Sequence, residues 1–208
     1  MRTDLTVIID RSGSMHTVKE DAEGGVNSLI EQQKLDPGET LFTLIQFDTE
    51  YEFVHKGVPI KDINLKYALI PRGGTALLDA IGRGIQETGD RLRRMDLAER
   101  PSLVVFIIVT DGLENSSREY NKKKIKEMIE HQTNVYKWKF TFLGTKIDAF
   151  AEASSIGISR GSTLYYGEEK TSGAILTASS TISIMKMRSA KGLETQVDYS
   201  EEERKSVV

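Results

Sequence analysis

Oxygen-bearing side chains stand at alternate positions of one short stretch near the start of the chain. Asp10, Ser12 and Ser14 occupy positions i, i+2 and i+4 of the sequence DRSGS, with Gly13 between the two serines. This spacing directs alternate side chains of a loop to one side, and the glycine permits a sharp bend. Aspartate, serine and glycine are also ordinary turn residues, so the stretch alone does not distinguish a binding site from a turn.

Two further polar stretches accompany this one. Thr75 ends the sequence GGT, and Asp111 is the centre of the sequence TDG. DRSGS follows a strand predicted over residues 4–10, and Asp111 follows an apolar strand predicted over 103–109. Thr75 directly precedes a helix predicted over 76–95. All three stretches are therefore loops at the ends of regular elements.

Hydrophobic patterning predicts strands that alternate with helices along the chain. Strands are predicted at 4–10, 40–48, 50–55, 103–109, 136–143 and 163–166, and helices at 17–33, 76–95, 118–132, 147–155 and 172–187. The run 103–109 is apolar at every position, which is typical of a central parallel strand covered on both faces. Strands 40–48 and 50–55 nearly adjoin, so they predict an antiparallel hairpin.

This element order predicts an α/β fold. It is a doubly wound, Rossmann-like architecture with a mostly parallel sheet, one antiparallel edge strand and helices on both faces. Loops at the carboxyl ends of such strands converge on one crevice, so we expect Asp10, Ser12, Ser14, Thr75 and Asp111 on a common rim.

Two local features of the helix predicted over 17–33 can be tested against the structure. Thr17 and Glu20 have the spacing of a capping box, which predicts that the helix starts there. Gly24 and Gly25 lie inside the same helix, where each costs about 1 kcal/mol relative to alanine. Close packing against the sheet is the expected compensation.

The composition is that of a soluble globular domain, with 38% hydrophobic and 28% charged residues among 208. A net charge of -3 gives no electrostatic reason to expect nucleic acid or an anionic membrane as partner. Cysteine is absent and the three histidines are widely spaced, so neither thiolate sites nor zinc are expected. No signal peptide or membrane span is evident, and we expect a cytoplasmic protein.

The domain prediction is a single domain over residues 1–188, followed by a polar, mobile tail over 189–208. The tail contains Glu201, Glu202 and Glu203, whose acids could reach a neighbouring molecule. A run of three lysines at 122–124 is interpreted as a solvated helix face.

Five oxygen ligands without nitrogen or sulfur favour a hard divalent cation. A small octahedral site that keeps one or two waters suits Mg²⁺ or Mn²⁺ better than Ca²⁺. Three of the ligands are neutral hydroxyls, and only Asp10 and Asp111 carry charge. The bound cation would therefore remain electrophilic and accept a Glu or Asp side chain from a protein partner.

The three stretches together resemble the metal-ion-dependent adhesion site of von Willebrand factor A domains. The pattern D-x-S-x-S, then T, then D is complete at suitable separations, and the resemblance spans roughly residues 4–188. It implies that Asp10, Ser12, Ser14 and Thr75 hold a divalent cation and that Asp111 acts directly or through water. The role of Asp79, one helical turn after Thr75, stays open between the site and the helix N-terminus.

The resemblance is to the bacterial-type cytoplasmic branch of the family, whose members often stand alone. It implies a metal-dependent protein-interaction module whose partner belongs to an ATPase, a kinase or a stress-response complex. It implies no catalytic residues and no organic cofactor.

Three other interpretations remain open at this point. The five residues can be turn and cap residues without a metal. A metal-dependent, phosphoesterase-like hydrolase could use the same rim, although a haloacid-dehalogenase-type site needs a second acid where Ser12 stands. A serine nucleophile would need a base, and His16 is the only nearby histidine. A Rossmann nucleotide site is not expected, because the first loop lacks the G-x-G-x-x-G pattern.

Overall fold

The computed structural model describes residues 1–145, 148–167 and 169–208. Six strands form one sheet in the order β3-β2-β1-β4-β5-β6. They are β1 (Arg2–Asp10), β2 (Glu39–Phe47), β3 (Tyr51–Pro59), β4 (Leu103–Thr110), β5 (Lys139–Gly144) and β6 (Thr163–Tyr165). Every neighbouring pair is parallel except β2 with β3. The predicted mostly parallel sheet with one antiparallel edge strand is confirmed.

Six α-helices connect or follow these strands. They are α1 (Lys19–Leu35), α2 (Leu77–Arg94), α3 (Lys122–Tyr136), α4 (Ala149–Ser155), α5 (Thr171–Ala190) and α6 (Glu201–Ser206). Residue 147, where we predicted the fourth helix to begin, lies outside the described residues. Within the described ranges, no helix combines the length and the apolar character needed to cross a membrane.

The sheet separates two hydrophobic layers, and β4 contributes to both. All eight residues of β4 are buried. Its Val105, Ile107 and Val109 pack with residues of α1 and α5 on one face. Val104, Phe106 and Ile108 pack with residues of α2, α3 and α4 on the other face. The continuous apolar run predicted this double burial, and helices on both faces are confirmed.

The start of α1 differs from the capping-box prediction. The helix begins at Lys19, and the preceding Val18 makes no side-chain capping hydrogen bond. A short 3₁₀ helix over Gly13–His16 comes first. The Thr17 hydroxyl donates to the Ser14 carbonyl at 3.3 Å. The chain therefore uses Thr17 to stabilise the polar loop, and the helix starts two residues later than predicted.

The two glycines of α1 have different surroundings. A Cβ atom added to Gly25 would lie 2.9 Å from both Ser172 Cα and Ile175 Cδ1 of α5. A Cβ atom added to Gly24 would meet no atom within 4 Å. The expected close packing thus exists for one glycine only, and it is between two helices rather than against the sheet.

The segment over 189–208 differs from the predicted mobile tail. Val197, Tyr199 and Val207 are buried in the core, and the Tyr199 hydroxyl lies 2.7 Å from Thr141 Oγ1. Helix α6 begins with a capping box in which Ser200 is the N-cap. The buried apolar residues are isolated among polar ones, so no periodic pattern revealed them. The three residues belong to the same hydrophobic layer as α1 and α5.

The two edges of the sheet differ from its centre. At one edge, the pairing of β2 with β3 shifts register between Phe42 and Ile45. At the other edge, β6 contains only three residues.

Candidate metal centre

Asp10 lies at the carboxyl end of β1, where a network of hydrogen bonds fixes its carboxylate. The Ser12 backbone N–H donates to Asp10 Oδ1 at 2.7 Å. The Thr110 hydroxyl, at the end of the neighbouring strand β4, donates to Asp10 Oδ2 at 2.6 Å. Because β1 and β4 are parallel neighbours, their carboxyl ends bring these two side chains together.

The two serines connect the first loop to the loop after β4. Ser12 Oγ lies 3.0 Å from Ser14 Oγ. Ser14 Oγ in turn donates to Asp111 Oδ1 at 2.8 Å. These contacts form a continuous polar chain from Ser12 to Asp111, which are far apart in the sequence.

Thr75 completes the group from a third direction. A Cβ atom added to Gly112 would lie 3.2 Å from Thr75 Oγ1, 3.7 Å from Asp10 Oδ2 and 3.8 Å from Ser14 Oγ. These three oxygen atoms therefore surround one small space beside Gly112, and the absence of a side chain there keeps that space open. The structure brings all five predicted residues together, and we call them the oxygen cluster: Asp10, Ser12, Ser14, Thr75 and Asp111.

The oxygen cluster has a buried floor and an open side. Asp10 is fully buried, and Ser12 and Thr75 are nearly so. Ser14 is exposed and Asp111 is partly exposed. Burial raises the pKa of Asp10 to about 6, against the opposing hydrogen bonds from Thr110 and Ser12. A buried carboxylate of this kind is stabilised by a positive charge placed beside it.

The donor atoms of the oxygen cluster carry little total charge and fit a hard divalent cation. The cluster contains two carboxylates and three hydroxyls and no nitrogen or sulfur ligand, as Mg²⁺ and Mn²⁺ prefer. Among residues 1–145, 148–167 and 169–208, no group of three or more His, Cys, Asp or Glu side chains could hold a metal. The hydroxyls are therefore essential to any cation site here, since the carboxylates alone are too few.

Comparison with known proteins adds evidence on the fold. No family model and no curated protein sequence matches the chain. Among solved structures, the vWF domain of the type V pili tip protein Mfa5 from Porphyromonas gingivalis has a TM-score of 0.59 at 10% identity, covering 88% of this chain and 95% of that one. The von Willebrand factor type A structure from Catenulispora acidiphila has a TM-score of 0.58 at 12% identity, covering 89% and 42%.

The chain has the fold of a von Willebrand factor A domain. The predicted fold is thereby confirmed. A third similar structure is proximal thread matrix protein 1 from the mussel byssus with a zinc-occupied MIDAS motif, with a TM-score of 0.63 at 14% identity. It aligns with 88% of this chain, which spans 46% of the length of that protein. Manganese-loaded TRAP protein of Plasmodium vivax has a TM-score of 0.55 at 16% identity, covering 86% and 73%.

In this von Willebrand factor A fold, Asp48 lies in the turn between β2 and β3 and forms ion pairs with one arginine of the loop after β1 and one of the loop before α2. The sequence interpretation missed these ion pairs. Arg11 Nε donates to Asp48 Oδ2 at 2.8 Å, and Arg72 Nε donates to the same oxygen at 2.7 Å. The Asp48 carbonyl also accepts the Ala76 N–H at 2.7 Å. The Arg72 and Arg11 guanidinium groups and a backbone N–H hold the pKa of Asp48 below its ordinary value despite burial. Asp48 thus positions the loop that carries Thr75.

Asp79 does not join the oxygen cluster. Its carboxylate accepts the backbone N–H groups of Arg118, Glu119 and Tyr120 at 2.8 to 2.9 Å. The sequence left two roles open for Asp79, a part in the site or an interaction with the helix N-terminus, and neither describes its contacts fully. Asp79 lies in the first turn of α2, and it anchors the end of the loop that begins at Asp111.

Two further residues hold that third loop against the start of α2. Glu114 Oε2 accepts the Leu78 N–H at 3.0 Å, and Asn115 Oδ1 accepts the Thr75 N–H at 2.9 Å. The Thr75 carbonyl in return accepts the Asn115 N–H at 3.0 Å. The loop that carries Asp111 is therefore fixed to the residue that supplies the threonine hydroxyl. The sequence signal for this clamp is the polar run ENSS, which begins at Glu114.

Proposed function

We propose that this chain is a metal-dependent protein-interaction module. A divalent cation, Mg²⁺ or Mn²⁺, is held by the oxygen cluster, and a Glu or Asp of a partner completes its coordination. The observation that supports this proposal is the convergence of five oxygen-bearing side chains, from three loops, around one open space beside Gly112.

The residues of the cluster have distinct roles in this proposal. Asp10 and Asp111 provide the negative charge, while Ser12, Ser14 and Thr75 provide neutral ligands. When bound, the cation supplies positive charge and a coordination position for an external acid. Ser14 and Asp111 lie on the exposed side, so the partner's acid would approach there. Thr110 and the Ser12 N–H hold the Asp10 carboxylate in place.

The partner and the location are part of the proposal. We propose a cytoplasmic protein partner with an exposed acidic residue, in an ATPase, kinase or stress-response complex. Metal occupancy at the corresponding motif in the mussel byssus protein and manganese in the Plasmodium protein support the general chemistry.

Calorimetric titration with Mn²⁺ and Mg²⁺ tests the cation site. We expect saturable binding at one site that is at least about tenfold weaker in Asp10→Ala, since that variant loses one of two charged ligands. Asp62→Ala, which removes an exposed carboxylate elsewhere, is the matched control. At a metal concentration of about 100 times Kd, the free energy of unfolding should rise by about 2.7 kcal/mol. Equal metal binding by Asp10→Ala would contradict the site.

Pull-down from a cell extract, with and without EDTA, tests the interaction. Bound partners should be released by EDTA, and Thr75→Ala should weaken capture while the melting temperature of the metal-free protein stays unchanged. Asp111→Ala should weaken metal binding as well. Association through another surface would ignore both EDTA and these variants, and that result would refute acid coordination.

We also propose that the oxygen cluster performs no hydrolysis of its own. A haloacid-dehalogenase-type phosphatase needs a second acid two residues after its first aspartate, and this chain has Ser12 there. His16, the histidine near the two serines in the sequence, is exposed at the end of the short 3₁₀ helix. Purified protein with Mn²⁺ should leave p-nitrophenyl phosphate and p-nitrophenyl acetate intact. Turnover of either compound that disappears in Ser12→Ala would favour the hydrolase instead.

A further inference from the structure

A cavity of about 570 Å³ lies between α2 and α3, at the opposite end of the sheet from the oxygen cluster. It is lined by Ser102 just before β4, by Val104 near the start of that strand and by Trp138 just before β5. Its apolar lining also includes Ile85, Leu92 and Met128. A volume of this size is typical of pockets that hold small organic molecules. The proposed function leaves it unused.

The cavity lining is rich in aromatic side chains. Tyr120, His131, Tyr136 and Trp138 all contribute to it. The Trp138 ring stacks on Phe106 with centroids 5.5 Å apart and an interplanar angle of 13°. The His131 and Tyr136 rings are perpendicular neighbours, with centroids 5.6 Å apart. Aromatic rings along a cavity favour a flat ring as ligand.

A glycine opens the cavity beside the tryptophan. Gly89 of α2 lines the cavity, and a Cβ atom added to it would have Trp138 Cη2, at 3.9 Å, as its nearest neighbour. Glycine inside a helix costs about 1 kcal/mol relative to alanine, and no close backbone contact requires it here. The missing side chain leaves room next to the indole ring.

Positive charge surrounds this aromatic lining. Arg93, Arg100, Lys124 and Lys137 line the cavity, against a single carboxylate, Asp90. Asp90 pairs with Arg93 at 3.0 Å. In the described part of the chain, the other three cations have no carboxylate partner. The cavity lining therefore carries a local excess of positive charge, although the whole chain has a net charge of -3.

We propose that this cavity binds a small aromatic organic anion, a one- or two-ring system that carries a carboxylate, sulfonate or phosphate. The ring packs against Trp138 and Tyr136, and the anionic group lies toward Lys124, Lys137 and Arg100. The ligand is a free small molecule, because the volume matches a compound of this size. Its binding requires no metal, since the oxygen cluster lies at the other end of β4.

Fluorescence titration with 8-anilinonaphthalene-1-sulfonate, an aromatic anion that fluoresces in apolar surroundings, tests the shape of the site. We expect saturable binding with a stoichiometry of one. Gly89→Leu should fill the cavity and weaken binding at least tenfold, while keeping the melting temperature of the parent protein. Gly24→Leu, the same change on α1 where a Cβ meets no atom within 4 Å, should bind as the parent does.

A second pair of variants tests the charge. Lys124→Gln should weaken binding several-fold, whereas Lys123→Gln on the same helix, outside the cavity lining, should not. Neutral 1-anilinonaphthalene should bind more weakly than the sulfonate. Equal binding of the sulfonate by Gly89→Leu and the parent, or by Lys124→Gln and the parent, would overturn the proposal.

Two further measurements decide the source of the ligand and its independence from metal. Indole-3-acetate should displace the fluorescent anion at lower concentration than an acidic, aromatic hexapeptide does. Stronger displacement by the peptide would overturn the small-molecule assignment. EDTA should leave the titration with the fluorescent anion unchanged, because the cavity binds its ligand without metal. Loss of cation binding in Asp10→Ala therefore tests the proposed function, and loss of anion binding in Gly89→Leu tests the cavity.

Discussion

Single residues outside the oxygen cluster fix the positions of its carboxylates. Thr110 illustrates this, because its hydroxyl donates to Asp10 Oδ2 at 2.6 Å and accepts the Gly112 N–H at 3.1 Å. One side chain thus orients the first aspartate and shapes the turn that follows the second. A hydrogen bond to a charged group contributes about 1.5–3 kcal/mol.

Thr110→Val replaces that hydroxyl with a methyl group of the same size. We expect the Kd for Mn²⁺ to rise about tenfold, which corresponds to about 1.4 kcal/mol. Thr110→Ser keeps the donor and should remain within about twofold of the parent. Calorimetric titration of the three proteins checks this, and equal affinities would show that Asp10 needs no such support.

The sequence could predict which side chains form the oxygen cluster but not the residues that hold them in place. Asp10 and Asp111 follow apolar strands, and that position alone predicts a shared rim in an α/β sheet. Asp48 and Asp79 act through arginines and backbone N–H groups that lie elsewhere in the sequence. Their partners depend on how loops fold over one another, and no local pattern encodes that arrangement.

At the scale of the elements, adjacent positions of one helix can have very different packing. In α1, Gly25 faces α5 so closely that a Cβ atom would lie 2.9 Å from the backbone at Ser172, whereas Gly24 faces open space. We expect Gly25→Ala to lower the free energy of unfolding by about 1–3 kcal/mol through overpacking. Gly24→Ala should raise it by up to about 1 kcal/mol through helix propensity. Urea denaturation of both variants decides this, and effects of the same sign would contradict the packing.

A second prediction concerns the loop after β4. Asp79→Ala removes the acceptor for the three N–H groups of Arg118, Glu119 and Tyr120, and should lower the free energy of unfolding by about 2–4 kcal/mol. Asp90→Ala, on the same helix, removes a partly exposed ion pair with Arg93 and should change it by less than about 1 kcal/mol. Thermal melting measures both, and similar losses would show that Asp79 is not an anchor.

Elements were easier to predict than their ends. The continuous apolar run of β4 and the alternation of strands with helices identify the sheet from the sequence. The predicted start of α1 was wrong because the Thr17 hydroxyl donates to the Ser14 carbonyl within the polar loop. The capping-box pattern describes only the spacing of residues and does not determine which group the hydroxyl contacts. Competition between a loop and a helix for the same hydroxyl is decided by three-dimensional structure.

At the scale of the whole molecule, one arginine holds the final segment on the domain. The Arg204 guanidinium donates to four backbone carbonyls: Thr163 at 2.7 Å, Arg160 at 3.0 Å, and Gly161 and Tyr199 at 3.2 Å. It also lies 5.7 Å from the centre of the Phe150 ring. These contacts join α6 to β6 and to the loop before it, so the last residues contribute to the stability of the domain.

Arg204→Ala should therefore lower the free energy of unfolding by about 2 kcal/mol. Cleavage by trypsin in the segment over 189–200 should become faster, because α6 no longer holds it. Lys205→Ala, on the exposed side of α6, should change stability by less than about 0.5 kcal/mol. Limited proteolysis with mass spectrometry measures the cleavage site, and equal rates for the two variants would contradict the role of Arg204.

The two sheet edges described above affect the tendency to aggregate. Exposed strand edges act as templates for intermolecular β-pairing unless they are short, irregular or blocked. At β3, the register shift and the terminal Pro59 interrupt the template. At β6, only three residues are available, and Arg204 already occupies the Thr163 carbonyl. Neither edge offers a long, regular row of free backbone groups, so neither is a ready template for β-pairing with a second copy of this chain.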